Sequence, residues 1–173
     1  MDDDEERRGH PSTWKKFGEG VGVLAGDALL AEAFRLAARY ESSAVARELA
    51  EATLGMIGGQ YLDTMEPDAE LETVHRLKTG RLFYASVTLA LAAADVPADE
   101  QAPWRAFADE LGMLFQVVDD ILDGDGFVLE VGEDGARRLA DEAAERGHAR
   151  LAEIEADTSI LEEIVSNLAA RTS

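Results

Sequence analysis

The sequence contains no cysteine, which excludes disulfide bonds and thiolate metal sites. Basic residues are also few: 16 lysines and arginines stand against 36 aspartates and glutamates, so the formal net charge is −20. This charge argues against a nucleic-acid partner and against docking on anionic lipid, because both require basic density. The longest stretch without a charged residue, 82–94, is shorter than the ~20 residues of a membrane-spanning helix. The acidic first residues lack the apolar segment of a signal peptide, and we expect a cytoplasmic protein.

The residues that are present favour helices throughout the chain. Of the 173 residues 46% are hydrophobic, and alanine, leucine and glutamate, which form helices well, are abundant. Apolar residues recur every three or four positions, which predicts an all-α helical bundle with short connections and a single domain over residues 1–173. The predicted helices cover residues 16–40, 43–65, 69–94, 103–123 and 135–156, with a loop at 127–134. A last, amphipathic helix is expected after an N-cap at Thr158 or Ser159, with Glu162 completing a capping box.

Three carboxylates lie in an apolar helical run, residues 111–122 and the position after it, which should be largely buried. Asp119 and Asp123 are four residues apart and share one helix face with Gln116, one turn earlier. Buried carboxylates must be neutral, paired or bound to cations, and clustered oxygen ligands on a rigid helix suit Mg²⁺. Asp119, Asp120 and Asp123 are therefore candidate metal ligands. The alternative is a solvated acidic helix end before Gly124.

Two cationic features are further candidates for a binding site. Arg7 and Arg8 are adjacent, and paired guanidinium groups suit the bidentate capture of phosphate oxygens, although a solvated N-terminal tail explains them as well. Lys78 lies near the point where its helix becomes buried, and a lysine there needs an anion. His75, one turn before Lys78, is interpreted as a surface histidine without a functional role.

The predicted helix 43–65 has a face without side chains, because glycine occupies positions 55, 58 and 59. Either another helix or a ligand can approach such a face closely. On the same helix, Gln60 and Asp63 are three residues apart and could point into a polar cavity. Asp27, in the apolar part of the predicted helix 16–40, is a candidate buried acid with a structural role.

Taken together, these features resemble the trans-prenyltransferases, the family of polyprenyl and geranylgeranyl diphosphate synthases. The resemblance rests on five pieces in the family's order and spacing: Asp-x-x-x-x-Arg-Arg-Gly-x-Pro at 2–11, Leu-Ala-Gly-Asp-Ala-Leu at 24–29, Gly-Gln at 59–60, Lys-Thr-Gly at 78–80 and Phe-Gln-x-x-Asp-Asp-x-x-Asp at 115–123. It implies a helical bundle of the isoprenoid synthase type. It also implies a reaction in which an allylic diphosphate ionises and isopentenyl diphosphate attacks the resulting allylic cation.

The resemblance also implies a role for each candidate residue. Arg7 and Lys78 would bind the allylic diphosphate, and Arg8 would bind isopentenyl diphosphate. Thr79 and Gln116 would face the developing cation, so that the catalytic residues are Lys78, Thr79 and Gln116, with Gln116 also contacting substrate. Magnesium would be held by four aspartates, with Asp119 the most direct ligand: Asp2, Asp119, Asp120 and Asp123.

The chain departs from the family pattern at its start. Only Asp2 remains of the family's first cluster, Asp-Asp-x-x-x-x-Asp, because Met1 precedes it directly. The resemblance therefore implies the C-terminal two-thirds of the fold, without its first helices, and leaves the activity of this chain alone open. A homodimer is expected. The alternatives are an impaired or regulatory partner subunit of a full-length synthase, a helical Mg²⁺-dependent terpene cyclase, and an acidic interaction scaffold.

Overall fold

The computed structural model describes residues 4–66 and 68–172, and these residues confirm the all-α prediction. A short antiparallel hairpin, β1 (Glu6–Arg7) and β2 (His10–Pro11), comes first. The helices are α1 (Thr13–Phe17), α2 (Glu19–Ala37), α3 (Ser43–Met65), α4 (Leu71–His75), α5 (Arg81–Ala93), α6 (Ala102–Asp123), α7 (Phe127–Val131), α8 (Glu133–Leu151) and α9 (Ser159–Ala169). A π-helical segment (Arg76–Gly80) joins α4 to α5, and 3₁₀ turns lie at Ala98–Glu100 and Ala170–Thr172.

Several helix boundaries follow the local signals in the sequence. The Ser42 hydroxyl accepts a hydrogen bond of 3.2 Å from the backbone N–H of Ala44, as expected of an N-cap. Pro103 lies in the first turn of α6, where its missing N–H costs no helical hydrogen bond. Gly124 ends α6 in the left-handed conformation with φ 72°, which glycine adopts without steric cost.

The core is centred on α6 and α8. One face of α8 consists of small residues that let α6 approach closely, and its buried members include Ala136, Ala140 and Ala143. They belong to one buried cluster with the fully buried side chains of Phe107 and Leu114. The sequence analysis correctly made this segment a helix, and its opposite face is charged and exposed. Alanine-rich faces carry a weak hydrophobic signal although they bury well against larger side chains.

Four expectations are corrected by the structure. The predicted single helix 69–94 contains the π-helical turn, the predicted loop 127–134 contains the one-turn helix α7, and Asp27 is exposed rather than buried. At α9 the capping box does not form: the Thr158 hydroxyl donates to the Glu162 carboxylate at 2.9 Å and caps no backbone N–H. Among the described residues, no helix is both long enough and apolar enough to cross a membrane.

A charged cluster joins α3 to α6 across the bundle. The guanidinium of Arg105 donates to both carboxylate oxygens of Glu48, at 2.5 and 3.4 Å, and to the hydroxyl of Tyr84 at 3.0 Å. Burial raises the pKa of Glu48, but the hydrogen bond from Arg105 lowers it, and the net result is a pKa below the ordinary value. The pair therefore stabilises the folded chain as long as Glu48 is ionised.

We predict that Glu48→Gln lowers the free energy of unfolding by about 2 kcal/mol at pH 7, because Arg105 loses its charged partner. The pKa of Glu48 is lower in the folded chain, so this contribution is complete above the ordinary value of 4.5 and disappears as the pH falls through the folded value. Urea unfolding of the unchanged chain and of Glu48→Gln, at pH 7 and again well below pH 4.5, measures this contribution. Glu32→Gln is the matched control, since Glu32 pairs with Arg35 on the surface of α2 and its loss should not be measurable. An equal effect of both substitutions would contradict the prediction.

Candidate functional site

A polar cavity of about 620 Å³ lies between the hairpin, α3, the π-helical segment and α6. It brings together seven of the residues that the sequence analysis singled out: Arg7, Lys78, Thr79, Gln116, Asp119, Asp120 and Asp123. Asp63 also lines it, as the sequence analysis suggested, whereas Gln60 lines a neighbouring cavity instead. Asp2 lies outside the described residues. Arg8 sits in the hairpin turn with φ 54°, is exposed, and does not line the described part of the cavity.

The acidic side of the cavity is formed by the end of α6. Burial, followed by the neighbouring carboxylates of Asp123, Asp120 and Asp125, raises the pKa of Asp119, although Arg171 opposes this. Within the described residues, no hydrogen bond or ion pair engages the carboxylate of Asp119 or Asp123. Repulsion between facing carboxylates is the condition that a divalent cation relieves.

The residues present fit a Mg²⁺ ion whose coordination is shared between the protein and a phosphate group. They do not fit an ion enclosed by protein side chains alone. Among the described residues, no three His, Cys, Asp or Glu side chains converge on one metal position. Magnesium typically takes one or two carboxylates, and water and substrate phosphates complete its octahedral shell. Asp119 and Asp123 offer hard oxygen ligands at the cavity, so the donor set suits a metal that arrives with a phosphate ligand.

Asp120 differs from its two neighbours because its side chain is almost completely buried. Its Oδ1 accepts a hydrogen bond from Gln116 Nε2 at 2.7 Å, and its Oδ2 accepts one from the backbone N–H of Phe127 at 2.8 Å. Nε2 of His75 lies 3.2 Å from Oδ2, at ion-pair distance but without hydrogen-bond alignment. Burial raises the pKa of Asp120, and the contacts with His75, Phe127 and Gln116 together lower it below its ordinary value.

The interpretation of His75 as a surface histidine was wrong. Its side chain is 13% exposed, and its ring packs against Phe127 with centroids 5.3 Å apart. The sequence held a signal for this position: His75 precedes Lys78 and Thr79 by three and four residues, and such residues share a helix face. Asp125, which lines the cavity after the end of α6, was missed because it follows the helix-ending Gly124.

The basic side of the cavity comes from the hairpin and the π-helical segment. Lys78 Nζ donates to Asp63 Oδ2 at 2.7 Å, and both side chains are partly exposed. Arg7 lies in strand β1, which the pairing of Arg7 with His10 holds in place. Arginine and lysine thus face the carboxylates of α6 across one cavity, which suits a polyanion that reaches both sides with the help of a cation.

Close backbone contact positions Lys78 and Thr79. A Cβ atom added at Gly59 of α3 would lie 2.3 Å from the backbone N of Lys78, so only glycine fits there. A Cβ added at Gly112 of α6 would lie 3.0 Å from Cα of Gly80. The π-helical turn is therefore held between α3 and α6, and π-helical turns occur often at functional sites. The sequence analysis left open whether a helix or a ligand approaches the glycine face of α3, and at Gly59 the neighbour is the helical backbone of Leu77 and Lys78.

A second cavity, of about 710 Å³, adjoins the first and is mainly apolar. Lys78 and Thr79 line both cavities, and the others around the second belong to one face of α3: Met56, Ile57, Gln60, Tyr61, Thr64 and Met65. A charged cavity that adjoins an apolar one suits an amphipathic ligand with an anionic head. Fold and site together define an all-α protein with a charged cavity beside an apolar one.

Comparison with known proteins gives the family. The family model described as polyprenyl synthetase matches residues 1–136, and the chain belongs to this family. It is 39% identical over 149 residues to the farnesyl diphosphate synthase of Bacillus subtilis, covering 77% of this chain and 50% of that protein. It is 40% identical over 158 residues to the large subunit 1 of the heterodimeric geranylgeranyl pyrophosphate synthase of Arabidopsis thaliana, covering 80% and 43% of the respective chains.

Solved structures agree on the fold. The geranyltransferase of Legionella pneumophila superposes with a TM-score of 0.88 at 28% identity, covering 99% of this chain and 67% of that one. An FPP/GFPP synthase of Zymomonas mobilis superposes with a TM-score of 0.85, also at 28% identity, covering 97% and 68%. The resemblance seen in the sequence and the isoprenoid synthase fold are thereby confirmed. The chain spans about half the length of the curated relatives it matches.

Proposed function

We propose that this chain provides the diphosphate-binding half of a prenyltransferase that joins isopentenyl diphosphate to an allylic diphosphate. The observation that carries the proposal is the junction of the two cavities at Lys78 and Thr79. An allylic diphosphate has a polyanionic head and a hydrocarbon tail, and the bond that breaks lies between them. The polar cavity suits the head, the apolar cavity suits the tail, and the junction suits the reacting carbon.

The chain's own side chains would divide the work between binding and stabilisation. Arg7 and Lys78 would hold the diphosphate, with Lys78 exchanging Asp63 for a phosphate oxygen. Thr79 and Gln116 line the polar cavity, and Thr79 also lines the apolar one, so their oxygens can face the developing positive charge. The role of Arg8 toward isopentenyl diphosphate stays a prediction from the resemblance, as does that of Asp2.

We propose Mg²⁺ as the cofactor, held by Asp119 and Asp123 together with the substrate. When bound, the metal neutralises the charge that develops on the leaving diphosphate. The apolar residues of α3 would exclude water from the allylic cation, which would otherwise be hydrolysed. The metal role predicted for Asp120 from the resemblance also stays a prediction.

The proposal is tested first by binding and then by turnover. Calorimetry with inorganic pyrophosphate, with and without Mg²⁺, should show binding that strengthens when the metal is present. Incubation with isopentenyl diphosphate and allylic diphosphates of increasing length, followed by mass spectrometry, should then show products longer by one isoprene unit. Binding without turnover would favour the alternative of a non-catalytic partner subunit, and the lack of metal-dependent binding would overturn the proposal.

We further propose that two copies associate through α2. In the described part of the chain this helix buries only Ala37, although its mean composition is apolar. Its exposed large side chains include Val23, Leu24 and Leu29, which are 65%, 68% and 73% exposed. An apolar helix face of this kind is covered when a second copy packs against it with two-fold symmetry.

Light scattering after size exclusion should give the mass of a dimer, and Leu24→Glu should shift it to that of a monomer. A buried carboxylate at the centre of an apolar interface is costly, so a large shift in the dissociation constant is expected. Leu129→Glu is the matched control, because Leu129 is an exposed leucine on α7, 78% exposed, outside the proposed interface. A monomer without substitution would exclude a homodimer of this chain.

A further inference from the structure

The end of α6 carries three carboxylates in two different environments. Asp119 and Asp123 are exposed at the polar cavity, whereas Asp120 is 2% exposed. A carboxylate has about four lone-pair positions. Protein groups contact both oxygens of Asp120, and little of its surface remains for a metal ion. The resemblance treats the three aspartates as one cluster, but their surroundings separate them.

The contacts of Asp120 come from three separate elements. His75 ends α4, Gln116 lies on α6 itself, and the backbone N–H of Phe127 begins α7. The backbone carbonyl of Asp120 also accepts from the N–H groups of Gly124 and Asp125, at 2.8 and 3.2 Å. This one residue therefore fixes where α6 ends, how the chain turns and where α7 starts.

The turn between α6 and α7 brings the backbone of Gly126 very close to the carboxylate of Asp120. A Cβ atom added at Gly126 would lie 2.1 Å from Oδ2 of Asp120, and Gly126 has φ 47°. Phe127, whose amide is bound by Asp120, is itself buried in the core and packs on the ring of His75. The carboxylate of Asp120 and the ring of His75 thus belong to a compact unit in the wall of the polar cavity.

We propose that His75 and Asp120 are positioning residues that hold the last turn of α6 so that Asp119 and Asp123 face the cavity. The proposal rests on the proposed function, since it concerns the geometry of the same metal and diphosphate site. In it, Asp120 stabilises the arrangement of the ligands without being a ligand itself. His75 acts through Asp120. Hydrogen exchange of the Phe127 amide, which Asp120 binds, shows whether these contacts are intact.

The test compares two substitutions of His75. His75→Gln keeps a polar nitrogen near the position of Nε2, whereas His75→Phe keeps an aromatic ring against Phe127 but places no polar atom near Asp120. We expect His75→Phe to weaken the binding of Mg²⁺ with pyrophosphate about 10-fold or more, as loss of outer-sphere support usually does. His75→Gln should restore most of this affinity. Binding of pyrophosphate without metal should be unchanged in both variants.

The second readout is hydrogen exchange of the Phe127 amide, which does not depend on any ligand. A donor points at each carboxylate oxygen of Asp120, and Asp120→Asn replaces one of these oxygens with a donor, so protection of the Phe127 amide should fall. Asp119→Asn should leave the same amide protected while it lowers the affinity for Mg²⁺ with pyrophosphate. Of these two isosteric substitutions at adjacent positions, only Asp120→Asn should therefore reduce protection of the Phe127 amide.

Three results would overturn the proposal. The first is His75→Phe with lower thermal stability but full metal-dependent affinity, which would make the contact merely structural. The second is Asp120→Asn with lost metal affinity and a protected Phe127 amide, which would make Asp120 a direct ligand. If the unchanged chain binds no Mg²⁺ with pyrophosphate, the proposed function fails by itself. Hydrogen exchange of the Phe127 amide in His75→Phe and Asp120→Asn then tests the positioning role alone. Loss of protection of this amide supports the contact between His75, Asp120 and Phe127. Retained protection is the third result that would overturn the proposal.

Discussion

Replacement of Gly59 by alanine should destabilise the folded chain by about 3 kcal/mol, while the same replacement at the adjacent Gly58 should stabilise it by about 0.5 kcal/mol. The two residues are neighbours on α3, and both substitutions add one methyl group. The difference lies in what that group meets. At Gly59 it meets the backbone N of Lys78 at 2.3 Å and the backbone C of Leu77 at 2.7 Å, whereas at Gly58 nothing lies within 4 Å.

Backbone atoms cannot rotate away as a side chain can, so α3 and the π-helical segment must separate in Gly59→Ala. Separation by even a few tenths of an ångström breaks interior packing, which is dense and poorly compressible. At Gly58 the methyl group only reduces the conformational freedom of the unfolded chain, which favours the helix. Urea unfolding of the two variants and the unchanged chain measures both free energies.

Gly59→Ala should also weaken the binding of pyrophosphate, because Lys78 moves with its backbone and leaves the position between the two cavities. Gly58→Ala should bind pyrophosphate as the unchanged chain does. If both variants bind equally well and are equally stable, the close approach of α3 to the π-helical segment is not what positions Lys78.

The extent to which the sequence predicted the structure differs between local and non-local features. The helices at 43–65 and 103–123, with their ends at Ser42, Pro103 and Gly124, were predicted correctly, because caps and periodicity depend on neighbours in the chain. The separation of Asp120 from Asp119 was not predicted. Adjacent residues on a helix point about 100° apart, but which direction is buried depends on distant elements. For Asp120 those elements are α4 and α7.

His75 is a second residue whose environment depends on distant elements and could not be predicted from its neighbours in the sequence. Charged and polar neighbours, Glu72, Arg76 and Lys78, made a solvent-exposed position the natural interpretation. The residue is instead largely enclosed, because Phe127 packs on its ring and Asp120 lies 3.2 Å from its Nε2. Contacts with residues far along the chain leave no mark in local hydrophobic periodicity.

Most of the predicted site residues lie together, whereas several details of the fold around them were not predicted. Seven of the predicted residues line one cavity although they come from β1, the π-helical segment and α6. Their residue types had already indicated a shared ligand, since isolated buried charges are too costly to persist without partners. The resemblance supplied the roles of these residues, while the structure supplies their distances and surroundings.

The largest functional effect is expected from Asp119→Asn. In the proposed reaction the metal lowers the barrier by several kcal/mol, so loss of its most direct ligand should reduce turnover by about 1,000-fold. The binding assay is independent of turnover: Mg²⁺ with pyrophosphate should raise the melting temperature of the unchanged chain but not that of Asp119→Asn. Asp141→Asn is the control with the same change of charge at an exposed position of α8.

Stability should respond to Asp119→Asn in the opposite direction. The pKa of Asp119 is raised in the folded chain, first by burial and then by the nearby carboxylates, so the ionised side chain disfavours folding at neutral pH. Its replacement by a neutral amide should therefore raise the free energy of unfolding at pH 7. This gain should vanish as the pH falls below 3.8, the ordinary pKa, where Asp119 is protonated in both states. A carboxylate that costs stability and is needed for metal binding is retained for its chemistry. Equal losses of stability and of metal binding in Asp119→Asn would instead identify Asp119 as a structural residue of α6.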